Sequence, residues 1–197
     1  MVLRHTMGAP AAIQEASPPQ SRWQRLLVKA YELYVEAPNG TNPPTFGRTG
    51  NVIYYSFDPN TLNECFGKFP VPTDWIAGTD MFAYPVFSMD QNWLGKVRWG
   101  IAYTAEVKGM SIAAVPIVQE SSIDADGTGA VLPPKSQWLT LSDIKVGVPK
   151  EDVFQRGDFT TLAHVEFRWY RDGLSALDNH GANARLYGIV IMYQAFI

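Results

Sequence analysis

The stretch Leu94-Gly95-Lys96-Val97-Arg98-Trp99-Gly100-Ile101-Ala102-Tyr103-Thr104-Ala105 alternates throughout, with Val97, Trp99, Ile101 and Tyr103 on one side and Arg98, Gly100, Ala102 and Thr104 on the other. Successive side chains of an extended chain point to opposite faces, so a period of two over this length predicts a strand with one buried face. Ala163 to Arg171 repeats the pattern, Ala163, Val165, Phe167 and Trp169 facing one way and His164, Glu166, Arg168 and Tyr170 the other.

Shorter pieces extend the reading. Val52 to Phe57 is aromatic and bounded by Gly50 and by Asp58-Pro59-Asn60. Met81 to Phe87 contains Pro85, which places it at an edge or a bulge. Met110 to Val118 and Gln137 to Ile144 add two more strand candidates. The terminal run Arg185 to Phe196 is mostly apolar on both faces, which suits a central strand beside other chain on each side. Seven or eight such strands, without long helical patterns between them, predict an all-β domain: a single antiparallel β-sandwich, specifically a jelly roll, over residues 50–197.

Residues 1–49 read as an N-terminal arm. Up to Ser21 the composition is that of a linker, with Met7-Gly8-Ala9-Pro10 and Ser17-Pro18-Pro19 and no periodicity. From Trp23 to Val35 the apolar positions Trp23, Leu26, Leu27, Ala30, Tyr31 and Tyr34 recur at three and four, which predicts a short helix capped by Ser21 with Gln24 three residues on. A strand through Leu26 to Val35 is the rival reading, because Tyr31, Tyr34 and Val35 are good strand residues. Either way Trp23, Leu26, Leu27, Tyr31 and Tyr34 form an assembly arm whose apolar side needs a partner.

Composition narrows the function. The 197 residues carry 16 Lys and Arg against 19 Asp and Glu, a net charge of −3, so no general attraction to a phosphate backbone is expected. Cys65 is the sole cysteine and cannot close an internal disulfide, which suits assembly in a reducing compartment. The longest apolar candidate, Ile112 to Val118, is too short for a membrane span and holds Pro116. The start of the chain lacks the charged and apolar regions of a secretory leader.

Candidate chemistry is sparse. His5, His164 and His180 share no ligand spacing, and Cys65 has no neighbouring base. Asp124-Ala125-Asp126-Gly127-Thr128-Gly129 opens like a calcium loop but has Lys135 where the bidentate glutamate belongs. The pairs Asp74 and Asp80, or Asp90 and Glu106, have no spacing that converges them across a glycosidase cleft. No catalytic residue, metal site or cofactor is therefore expected. In the loop after Tyr170, the turn residues Gly173, Asp178, Asn179, His180, Gly181 and Asn183 sit above Arg171, Asp172 and Arg185, which are expected to pair across strands at its base. Surface tryptophans suit a different class, a carbohydrate- or receptor-binding module, with Trp75, Trp93 and Trp138 as candidates.

Several pieces resemble a family of bacteriophage virion proteins with a jelly-roll or β-sandwich domain, found as capsid-associated and decoration-like components. They are Val52-Ile53-Tyr54-Tyr55-Ser56-Phe57, Val71-Pro72-Thr73-Asp74-Trp75, Val97-Arg98-Trp99-Gly100-Ile101, Val165-Glu166-Phe167-Arg168-Trp169-Tyr170-Arg171-Asp172 and Asn183-Ala184-Arg185-Leu186-Tyr187-Gly188-Ile189-Val190-Ile191. The span Tyr170 to Gly188 is similar to the family's closing strands, although Tyr187 stands where the family often has leucine. The resemblance implies a non-enzymatic structural protein of the virion, assembled in the host cytoplasm as a homo-oligomer. The partners it implies are other copies and a major capsid protein or other virion protein, with no small-molecule substrate.

Overall fold

The computed structural model describes residues 21–35, 42–76, 79–106, 116–125, 129–131, 133–141 and 164–196. Residues 1–20, most of the Met110 to Val118 run, Asp126 to Thr128 of the calcium-like loop, Ser142 to Ile144 and Ala163 lie outside them. The strands are β1 (Ser21–Lys29), β2 (Thr45–Thr49), β3 (Val52–Phe57), β4 (Leu62–Pro70), β5 (Met81–Met89), β6 (Lys96–Glu106), β7 (Ile117–Asp124), β8 (Ala130–Val131), β9 (Leu139–Leu141), β10 (His164–Asp172) and β11 (Ala184–Phe196). Single 3-10 turns occupy Ala30–Glu32 and Lys135–Gln137.

These strands form two antiparallel sheets in a curled, sandwich-like arrangement. The larger has the order β2-β3-β11-β5-β8, with β1 added to β11 and β9 to β5; the smaller has the order β4-β10-β6-β7. Pairing is nested. The hairpin β6–β7 is innermost, β5 with β8 and β9 encloses it, β4 with β10 comes next, β3 with β11 encloses these, and β1 with β11 is outermost. The chain thus folds as one long hairpin, which β11–β5 and β10–β6 pairing rolls into two layers.

The alternation predicted for β6 and β10 sets the core between the layers. Val97, Trp99, Ile101 and Tyr103 of β6, with Val165, Phe167 and Trp169 of β10, are buried against Met81, Ala83 and Phe87 of β5 and Leu186, Ile189 and Ile191 of β11. Burying each large apolar side chain contributes about 1.5–3 kcal/mol. Cys65 lies in the same core, where burial, and then the charge of Glu64, push its thiol up and keep it protonated.

The expected helix near the N-terminus is absent. Ser21–Lys29 is instead a strand, paired residue by residue with β11 from Ser21 opposite Phe196 to Lys29 opposite Gly188. The reason lies in β11, which β3 covers only from Ala184 to Leu186. Beyond that point its edge would leave backbone donors and acceptors without partners, and β1 supplies them. Leu26 and Val28 then point inward, while the backbone of β1 passes so close to Gly188 that an added Cβ would lie 2.7 Å from the Val28 carbonyl oxygen. Ser21 is no helix cap; the reciprocal contact that exists is the Lys29 N–H donating to Glu32 Oε2 at 2.7 Å. Both β1 and β2 precede residue 50, so strands from the segment read as an arm belong to the larger sheet. Pro85 lies between the stretches of β5 that pair with β9 and β8, where no described residue pairs with the strand on that side.

Candidate functional site

Four connections meet at one end of the sandwich. The Gly173 N–H donates to the Thr61 carbonyl, Asp90 to Asn183, Ala125 to Gly95, and both Asn179 and His180 to Lys96. Arg171 stands beneath them, fully buried on the inward side of β10. Its Nε and Nη2 donate to Asp178 Oδ2 and Oδ1 at 2.8 Å each, its Nη1 to the carbonyls of Phe57 and Ala182, and its Nη2 also to that of His180. All five guanidinium N–H groups are spent. Asp178 Oδ2 further accepts the Arg98 N–H at 3.0 Å. Of the three residues expected at the loop base, only Arg171 takes this place. Asp172 faces away from it on the same strand, opposite Leu62, and the Arg185 guanidinium lies 5.3 Å from the centre of the Tyr54 ring. Asp178, which sequence reasoning placed only among turn formers, is the true partner.

His180 is buried beside this pair, its Nδ1 accepting the Ala182 N–H and its Nε2 3.0 Å from the Trp93 carbonyl oxygen. Trp93 is half-exposed and stacks on it at 6.5 Å between ring centres. Trp75 is buried in the core. The three tryptophans proposed for a binding surface therefore fall in three separate places, with Trp138 on the outside of the larger sheet.

On the outside of the smaller sheet, Glu120 accepts from Tyr170 at 2.7 Å and from Arg98 at 2.6 Å, and the Tyr170 ring crosses Gly100, where an added Cβ would lie 2.2 Å from it. Burial pushes the Glu120 carboxyl up, but the bonds from Tyr170 and Arg98 outweigh it and hold the carboxyl below its usual range. Burial, followed by the bond to Glu120 and its charge, raises the Tyr170 hydroxyl. A lowered carboxylate stabilises the fold above its unfolded pKa, about 4.3, and that contribution is lost as pH falls through the folded value. Melting temperature measured between about pH 6 and about pH 3 should therefore fall more steeply in the parent than in Glu120→Gln. Equal slopes would remove the role assigned to this network.

The outside of the larger sheet is aromatic. Trp23 of β1 reaches over β11 to Phe82 of β5 at 5.7 Å, Phe82 meets Trp138 at 6.2 Å, and Trp138 stacks on Tyr84 at 4.8 Å. A second group joins Tyr54 to Tyr187, whose hydroxyl is 2.7 Å from that of Ser88. Trp23 and Trp138, assigned from sequence to two different roles, thus share one surface. Of the other arm residues, Leu27, Tyr31 and Tyr34 are exposed and Leu26 packs on the core. Among the described residues no three His, Cys, Asp or Glu side chains gather as a metal site, and no helix is long and apolar enough to cross a membrane. No protein-family model matches the chain, and no curated protein sequence matches it.

Proposed function

We propose that this chain is a jelly-roll structural protein of a virus particle, a non-enzymatic minor capsid or decoration component that assembles in repeated copies. The observation that supports it is the nested strand order. Two antiparallel sheets ordered β3-β11-β5-β8 and β4-β10-β6-β7, made by rolling one long hairpin, are the arrangement expected of a double Greek-key jelly roll, an architecture used by viral capsid and lectin domains. The resemblance to bacteriophage virion proteins points the same way, with a major capsid protein as partner and the virion, built in the host cytoplasm, as location. Exposed Leu27 and Tyr31 at the entrance to the sheet supply apolar area for neighbouring copies.

Light scattering and negative-stain microscopy, with and without the major capsid protein, test this reading. The parent should self-associate or add to shells, and the Leu27→Glu, Tyr31→Glu double variant should stay folded but monomeric. A parent that remains monomeric and ignores shells would end the proposal. The second reading, a carbohydrate- or receptor-binding module of a phage tail or fibre, is favoured by the aromatic band from Trp23 to Trp138.

A further inference from the structure

None of the seven strands of the larger sheet contains an aspartate or glutamate, yet they hold Arg22, Arg25, Lys29, Arg48 and Arg185. The smaller sheet mixes both signs, with Glu64, Glu120, Asp124 and Glu166 beside Lys68, Arg98 and Arg168. In a chain of net charge −3 this separation gives one sheet a cationic character that the whole molecule lacks.

Of these cations, Arg25, Lys29 and Arg185 alternate onto the aromatic outer face, whereas Arg22 and Arg48 fall on the opposite faces of their strands, with Leu26 and Tyr55; Lys135, in the turn before β9, joins the outer set. Lys135 Nζ is 4.9 Å from the Trp23 ring centre and 5.4 Å from that of Phe82, Lys29 Nζ is 5.4 Å from Tyr31, and the Arg185 guanidinium is over Tyr54. Among the described residues no ion pair joins any of these cations to a carboxylate. Their charge is held in place by ring quadrupoles and left for an outside anion.

We propose that the outer face of the larger sheet binds an acidic, carboxylated polysaccharide. Sugar carboxylates would pair with Lys135, Arg25 and Lys29, while apolar C–H faces of the sugar rings pack on Trp23 and its neighbours. A neutral glycan would leave the cations unused. Single-stranded nucleic acid fits less well, because successive bases need rings spaced to receive them. Here the rings touch one another at 4.8–6.2 Å and tilt by 53° and 58° at two of the three contacts, leaving no slot between them. The inference rests on the binding-module reading and is independent of the shell proposal.

Tryptophan fluorescence and calorimetric titration of the full chain with polygalacturonate, hyaluronate, neutral dextran and an oligothymidylate test it. Saturable binding of at least one carboxylated polymer is expected, with dextran and the oligonucleotide at least about tenfold weaker. Binding should fade in about 0.5 M salt, where screening is strong. Lys135→Glu and Arg25→Glu should each weaken it about tenfold or more without changing the melting temperature, and Lys68→Glu on the other sheet should leave it unchanged. Preference for dextran would overturn the acidic ligand while keeping the binding-module reading. Preference for the oligonucleotide, or binding of no glycan, would overturn both.

Discussion

Arg171→Leu is expected to destabilise the protein by about 3–5 kcal/mol, the usual cost of removing one partner from a buried ion pair. The change strands the Asp178 carboxylate, whose side chain is 1% exposed, and leaves the carbonyls of Phe57, His180 and Ala182 without their donor. An unpaired buried charge is the dominant part of that cost, since the three carbonyls are neutral acceptors that lose one donor each. For a domain whose net stability is about 5–15 kcal/mol, the loss is a large share. Denaturant midpoints give the total, and hydrogen exchange locates it. Protection should fall first at residues 173–183 and in the β3–β4 turn, which Arg171 ties together. Arg171→Leu with Asp178→Leu should recover the part due to the stranded charge and none of the part due to the carbonyls. A single variant as stable as the parent would show that the loops hold together without this residue.

Trp99→Ala should cost a similar about 3–5 kcal/mol, here by opening a cavity. Trp99 is fully buried and joins the layers, with Phe57 of β3 and Phe87 of β5 edge-on at 5.1 and 5.4 Å and Trp169 of its own sheet at 6.0 Å. Removing the indole deletes contacts to both sheets at once, and four strands cannot all collapse into the space. Trp99→Phe should cost much less. It keeps most of the ring area and removes an indole Nε1–H that is buried without a hydrogen-bond partner. Thermal unfolding of both variants checks the order; a phenylalanine variant as damaged as the alanine one would mean the indole nitrogen is satisfied after all.

Strands with one clean apolar face could be read directly. In β6 and β10 the inward residues from Val97 to Tyr103 and from Val165 to Trp169 are buried and largely apolar until Arg171, and in β11 the inward Leu186, Ile189 and Ile191 are buried while the outward side mixes Val190 and Met192 with Arg185 and Gln194. β4 escaped the same reading because its inward side carries Asn63, Cys65 and Gly67, and its buried Glu64 belongs to the other face. A local pattern cannot show that Asn63 donates to the Asn42 carbonyl or that Gly67 makes room for Phe167. β2 is short and mostly exposed, so burial left no mark on its sequence.

What the sequence determined by itself was the all-β class, the inward faces of its longest strands and the lack of a disulfide, since these depend on periodicity and composition that each segment carries alone. Tertiary structure decided the rest. Trp23 to Lys29 has helical spacing, yet the open edge of β11 offered a full ladder of backbone hydrogen bonds that an isolated helix could not match. Arg171 meets Asp178, and not a cross-strand partner within the set Arg171, Asp172 and Arg185, because Asp172 and Arg185 face away from it and the returning loop brings a carboxylate inward. Trp23 and Trp138 came to one surface, and every carboxylate stayed off the strands of that sheet, because rolling the hairpin sorts distant segments into layers; contacts between layers are decided by which strands pair, a choice that no local stretch of sequence contains.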